Sequence, residues 1–298
     1  MCFLQPQEAL MCAVRTGLRP IFALFLTFTG LAGGDESASV PFPPRKDGAV
    51  IVPVTVDGTV TLNFLLDTGA AGSTVVETVA DRLGLVPAAR SLVTTPTSRE
   101  WLPVVKVGRL TVGAASVDGL LATTVPHSAV EALLGHIDGI LGQDFLSRFN
   151  YTLDYRNHRV HWDPETGTLD EPFARLGLAW VDGRFLVELP QNDGALVRLV
   201  PDSGSDVMVV FVRPGRPTLP MEGGSTRAEL RGFGSQRGVQ IRMLRGLTIG
   251  ATTLKNRPAA VVERLEPNAP DYDGLLPLHM FASVSFNSLS RYLIVREH

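Results

Sequence analysis

Two triplets in the sequence carry groups that could do chemistry together: Asp67-Thr68-Gly69 and Asp202-Ser203-Gly204. Each closes an apolar run, "TLNFLLDTG" in one case and "ALVRLVPDSG" in the other. Aspartate and glycine are poor strand formers, so either triplet alone reads as a turn. As a pair they offer more. Two carboxylates within hydrogen-bond range cannot both ionise near neutrality; they share one proton and supply a general base and a general acid in one place. Such a pair can deprotonate a water while polarising a carbonyl, which hydrolyses an amide without a metal, a cofactor or a covalent intermediate. The flanking residue types suit the task. Gly69 and Gly204 let backbone N–H groups approach the carboxylates, and the hydroxyls of Thr68 and Ser203 can tie one loop to the other. Ser205 stands where the first triplet has Ala70. Its hydroxyl is expected to donate to Asp202, which would keep Asp202 ionised, leave the proton on Asp67 and set a pH optimum of roughly 4 to 6.

For the triplets to meet, the chain must bring two distant strands together, and an internal repeat provides the means. The aspartates lie 135 residues apart, and "DGIL" at Asp138–Leu141 is followed by "DGLL" at Asp273–Leu276 at the same separation. "LTVG" from Leu110 and "LTIG" from Leu247, like Phe149-Asn150 and Phe286-Asn287, are 137 apart. Each copy also has alternating apolar residues around an Asp-Gly turn, Asp57-Gly58 or Asp193-Gly194, which is a strong hairpin signal. A period this long is a small domain, not a solenoid unit. The expected fold is mostly β: two homologous β-barrel lobes, residues 48–165 and 166–298, joined through Asp163–Pro172 and related by a pseudo-two-fold axis with a cleft between them. Helices are few. One is predicted over Ser73–Leu83, ending at Gly84; another is opened by a Ser128/Glu131 capping box and closed by Gly135.

Residues 1–32 differ from the rest. Arg15 and Arg19 precede an apolar segment, Ile21–Leu31, that ends in small residues, the pattern of a secretory signal peptide too short to span a bilayer. Both cysteines, Cys2 and Cys12, fall in this leader, so the mature protein would hold no disulfide and no thiol nucleophile. Residues 33–47 read as a linker or extended arm with folding beginning after it. Secretion or a periplasmic location follows, without a stable membrane anchor. The chain has 298 residues, 45% hydrophobic content and a formal net charge of -3 with no basic run, which argues against nucleic acid as a partner.

The segments "LLDTGAAGS", "DGILGQDFL", "LVPDSGSD" and "DGLLPLHMF" resemble aspartic peptidases of the pepsin and retropepsin type, over about residues 48 to 298. The resemblance implies that Asp67 and Asp202 form the catalytic dyad, supported by Thr68, Gly69, Ser203, Gly204 and Ser205. It implies that Ile140-Leu141-Gly142 and Leu275-Leu276 thread beside them, and that β-hairpin flaps cover the cleft. Arg231–Gly238, with Gly232, Phe233 and Gly234, would form the second flap, and Arg99-Glu100-Trp101 sits at the comparable place in the first. Ile140, Leu275 and Trp101 would line the substrate cleft. Pro277 departs from the pattern, which has glycine after Leu275-Leu276; lacking an N–H, it cannot copy its counterpart, so support of the dyad is expected to be asymmetric or degraded.

The implied activity is an exported, monomeric aspartic endopeptidase acting on peptide segments. The alternatives are a catalytically silent peptide-binding protein on the same fold and a β-rich carbohydrate or cell-wall binding module in which the triplets are only turns. His158 and His161 have a spacing that some metal sites use, but a hairpin turning at Arg156-Asn157 would point them to opposite faces. No G-x-S-x-G, H-E-x-x-H or Walker-type segment is present.

Overall fold

The computed structural model describes residues 3–5, 38–95, 97–162, 174–191, 193–213, 215, 219–232, 235–263 and 271–297. The protein is mostly β, and its hairpins begin where Asp-Gly pairs stand. Asp57 and Gly58 take φ of 50° and 69°, the left-handed conformation of a tight turn, between the antiparallel strands Ile51–Val56 and Val60–Leu66. Burial alternates through Val52, Val54 and Val56, then becomes continuous at Phe64, Leu65 and Leu66. The strand end carrying Asp67 is therefore covered on both faces.

This strand lies in a nine-stranded sheet ordered Pro87–Thr94, Arg99–Lys106, Leu121–Val125, Thr74–Val76, Gly139–Leu141, Val60–Leu66, Ile51–Val56, Arg109–Val112 and Ala115–Asp118. The C-terminal half contributes most of a 14-stranded sheet, in which Met221–Gly232, Ser235–Leu244, Arg257–Val262, Met208–Phe211, Gly274–Pro277, Leu196–Asp202 and Arg184–Pro190 follow one another in the same succession. In both, the strand ending at the aspartate has a parallel neighbour: Leu66 pairs with Leu141, and Asp202 with Pro277. The glycines opening those neighbours are sterically required. A Cβ at Gly139 would lie 2.5 Å from the Thr74 carbonyl oxygen, and one at Gly274 would strike the carbonyl of Val209.

The halves join where Asn150–Asp154 pairs antiparallel with Ser283–Asn287, Asn150 opposite Asn287. Tyr151 stacks on Phe286 across this seam, with centroids 4.8 Å apart and planes 14° apart. The main apolar core is continuous through both halves. A smaller cluster, including Val200, Val209, Leu230 and Leu275, lies in the C-terminal half.

Several local expectations are corrected. The stretch predicted as helix from Ser73 is a strand over Thr74–Val76, followed by a helix only at Glu77–Arg82. Its β-branched residues are buried between strands Leu121–Val125 and Gly139–Leu141, where that shape packs well. The capping box does not form. The second helix, His127–Leu134, starts two residues earlier with Pro126 at its N-cap and no side-chain cap, while Gly135, at φ 73°, ends it. Ordered structure begins before residue 48: Ser39–Pro41 pairs with Arg159–Trp162, and Val40 and Phe42 are buried. Of residues 1–32, only Phe3–Gln5 is among the described residues, as a short strand against Glu229–Arg231; the expected cleavage point and the expected joining segment Asp163–Pro172 lie outside them. No helix among the described residues is long and apolar enough to cross a membrane.

Candidate active site

Asp67 and Asp202 are each 1% exposed, and both line one cleft of about 1320 Å³. Their proximity is read from the glycines. A Cβ on Gly69 would lie 2.5 Å from the carboxyl carbon of Asp202, and one on Gly204 would lie 2.6 Å from that of Asp67. Each glycine thus leaves room for the opposite carboxylate, and any side chain there would push the pair apart.

Four crossed hydrogen bonds lock the two loops. The Thr68 N–H donates to Ser203 Oγ (3.0 Å) and the Ser203 N–H to Thr68 Oγ1 (2.9 Å). The Thr68 hydroxyl donates to the carbonyl of Pro201 (2.8 Å), and that of Ser203 to the carbonyl of Leu66 (2.7 Å). With Thr68 0% and Ser203 3% exposed, neither hydroxyl can exchange these partners for water. Beneath the loops, Asp138 exchanges two bonds with Asn63, accepting its N–H at Oδ2 (2.8 Å) and donating to its carbonyl (2.7 Å). Asp273 does the same with Arg198, at 2.8 and 2.7 Å. The recurrence of Asp-Gly before the threading strands was the only sequence signal of this clamp.

The carboxylates differ in environment. Asp67 Oδ1 accepts from the N–H groups of Gly69 (2.9 Å) and Ala70 (3.1 Å). Asp202 accepts from the Gly204 N–H (2.8 Å), but burial, with the charge of Asp67 adding, pushes its carboxyl up to about 7. Burial thus raises the carboxyl of Asp202, the one that Ser205 was expected to keep ionised. The single hydroxyl proton of Ser205 goes to the Val207 carbonyl (2.8 Å) rather than to the carboxylate.

Two hairpins close over the cleft. Pro87–Thr94 with Arg99–Lys106 forms one, and Met221–Gly232 with Ser235–Leu244 forms the other. Their tips touch: the Ser235 hydroxyl donates to Thr97 Oγ1 (2.7 Å), and Gly232 lies so close to that atom that a Cβ would collide with it. Nothing in the sequence singled out Thr97, whereas Ser235 falls in the segment expected to form the second flap. Gly232, Ile140 and Leu275 line the cleft. Phe233 and Gly234 lie outside the described residues. Trp101 does not line it: it is 59% exposed and points away, because strand residues alternate and its neighbours Glu100 and Leu102 take the cleft side. His158 falls in the turn itself, at φ 53°, against the Phe42 ring, while His161 lies 3.8 Å from Asp154.

Residues 52–145 match the model of a family described as aspartyl protease. This match contains Asp67 and the Ile140-Leu141-Gly142 element, and it bears out the resemblance to aspartic peptidases over that part of the chain. Among solved structures, a retropepsin-like aspartic protease from Rickettsia conorii is similar over 42% of this chain and 87% of its own, at 17% identity and a TM-score of 0.30. No curated protein matches the chain.

Proposed function

We propose that this chain is an aspartic endopeptidase that hydrolyses peptide bonds through Asp67 and Asp202. The observation carrying this reading is the pair of buried carboxylates at the floor of one cleft, with their loops cross-bonded through Thr68 and Ser203. In the first step, Asp67 takes a proton from a water whose oxygen attacks the scissile carbonyl carbon, while Asp202 gives its proton to the carbonyl oxygen. Collapse of the tetrahedral diol then moves a proton to the amide nitrogen, breaks the C–N bond and restores the starting protonation of the pair. Covering hairpins and a cleft of this volume suit an extended segment of several residues, more than a drug-sized ligand requires.

The same reading takes residues 48–165 and 166–298 as two lobes about a pseudo-two-fold axis. It is supported by the shared strand succession and by the seam at Asn150 and Asn287. One chain would then supply both aspartates and act as a monomer. Residues 1–32 are read as a leader that sends the protein out of the cytoplasm.

The test is to incubate the protein with denatured polypeptides from pH 3 to 7, with and without a statine-type inhibitor. Inhibitor-sensitive cleavage is expected; its absence at every pH overturns the assignment and leaves the silent peptide-binding reading.

A further inference from the structure

The cleft walls differ in chemistry. The first-half wall presents Leu92, Leu102, Val104, Leu121, Val125 and Leu133 alongside several hydroxyls, and no cation among its described residues. From the other half come two arginines, Arg184 and Arg231.

Arg184 sits just after the Asp182-Gly183 turn, which packs onto Ala71 beside the first catalytic loop. Its Nε donates to the Gly69 carbonyl (2.8 Å) and its Nη1 to the Asp182 carbonyl (3.2 Å). Both partners are neutral, so the guanidinium is fixed beside the dyad without being neutralised. The position 135 residues earlier is Ala49, buried and uncharged, so the cation marks one side of the cleft only. Arg231 reaches the cleft from the second hairpin; its Nη2 lies 3.7 Å from Glu229, and its buried Nε has no acceptor. A buried N–H without an acceptor is costly and is satisfied by an incoming carboxylate. Among the described residues, the other charged groups lining the cleft, apart from the dyad, are Glu100 and Asp182. Neither forms an ion pair with the arginines: Asp182 turns its backbone carbonyl, not its carboxylate, to Arg184.

We propose that Arg184 and Arg231 select a peptide carboxylate, so that the preferred substrate places an apolar side chain on the first-half wall and an acidic group on the arginine side. This deepens the peptidase assignment and rests on it for cleavage, but not for binding. A fixed guanidinium fork loses little freedom on meeting a carboxylate, which makes arginine the fitting residue here.

The experiment compares matched peptides bearing one apolar residue and Glu, Gln or Lys scanned along either side of it, each with a free or an amidated C-terminus. Two quantities are read: kcat/KM for the intact enzyme, and peptide affinity by fluorescence anisotropy for the Asp202→Asn variant. The expected result is a Glu-over-Gln preference of about tenfold to a hundredfold at one position. Arg184→Lys retains it in part, and Arg184→Met and Arg231→Gln each reduce it. The ratio is informative even if Arg184→Met slows all cleavage, and Arg231→Gln leaves the Gly69 contact in place. A preference that vanishes on amidation assigns the carboxylate to the peptide terminus; one that persists assigns it to the side chain. Equal rates and affinities for Glu and Gln, a preference for Lys, or a Glu preference untouched by either arginine variant overturns the proposal. Arginine-dependent binding of the Glu peptide without any cleavage supports it and overturns the peptidase reading alone.

Discussion

The two halves hold their aspartates in the same way and brace them differently. Behind Asp67 the brace is polar. The Ser73 hydroxyl donates to Asp144 (2.7 Å) and accepts from the Gly142 N–H (3.0 Å), the Ser73 N–H donates to the same carboxylate (2.9 Å), and Gln143 donates to the Thr68 carbonyl (2.8 Å). Burial pushes the Asp144 carboxyl up and the Ser73 bonds pull it back. At the equivalent positions behind Asp202, 135 residues on, stand Met208, Pro277, Leu278 and His279. The first three are buried.

The replacement is concerted, which resolves the meaning of Pro277. Proline withdraws the N–H that glycine offers at 142, and methionine withdraws the hydroxyl that would have accepted it, so no orphan is left on that pair. Removing both partners of a buried hydrogen bond is close to neutral, whereas removing one leaves a desolvated group. Pro277 extends the threading strand by a residue instead of breaking it: the strand is Gly274–Pro277, against Gly139–Leu141 in the first half. The support is asymmetric rather than degraded.

The comparison is broken most severely at the carboxylates. Asp67→Asn or Asp202→Asn is expected to lower kcat by about a thousandfold or more, because each removes a group that the shared proton requires. The two variants differ in stability. Asp202 binds its proton more tightly folded than unfolded, so wild-type stability falls as pH rises from the ordinary aspartate range near 4 towards about 7, and Asp202→Asn abolishes that slope. Thermal denaturation of both variants across this window checks the point; an unchanged slope in Asp202→Asn would show that Asp202 is not the proton carrier. Activity should fade above about pH 7 as the same proton is lost.

The crossed bonds come next. Thr68→Val and Ser203→Ala each delete a hydroxyl serving as donor and acceptor, and each is expected to destabilise by about 2 to 3 kcal/mol. Near-equal losses in denaturant titrations would sharpen the equivalence of the loops; a loss confined to one would break it. For the braces the halves should part company. Ser73→Ala strands Asp144 and the Gly142 N–H and is expected to cost about 1 to 3 kcal/mol, while Met208→Leu, a volume-conserving apolar change, should cost less than about 1.5 kcal/mol. A larger loss for Met208→Leu would contradict the polar-against-apolar contrast. The smallest effect belongs to Ser205→Ala. It removes one bond to a backbone carbonyl, about 1 kcal/mol, and should leave the pH–activity profile unmoved, since that hydroxyl does not reach Asp202.

Much of this was legible in the chain. The repeat of triplets, Asp-Gly turns and Asp-Gly-apolar segments at one spacing singled out both aspartates and the mostly β class, because hairpins and alternation are written locally, while the threading elements came only from the family resemblance. The second hairpin was marked by its glycines. Other signals misled, besides the Ser128/Glu131 capping box and the arm before residue 48. Helical periodicity at Val76, Val79, Ala80 and Leu83 overlapped a buried strand; the exposed face of a strand took Trp101; and Ser205 was judged by its neighbour in sequence, not in space.

What the sequence determined by itself is the set of parts: which carboxylates, which hydroxyls, which turns, and the doubling that could bring them together. Only the tertiary structure decided their electrostatics and their partners. The side of the pair that holds the proton depends on burial and on where one hydroxyl proton points. The meeting of Thr97 with Ser235, of Arg184 with Gly69 and of Ser73 with Asp144 joins residues 138, 115 and 71 positions apart. No local pattern encodes such contacts, because they arise where separately specified sheets pack.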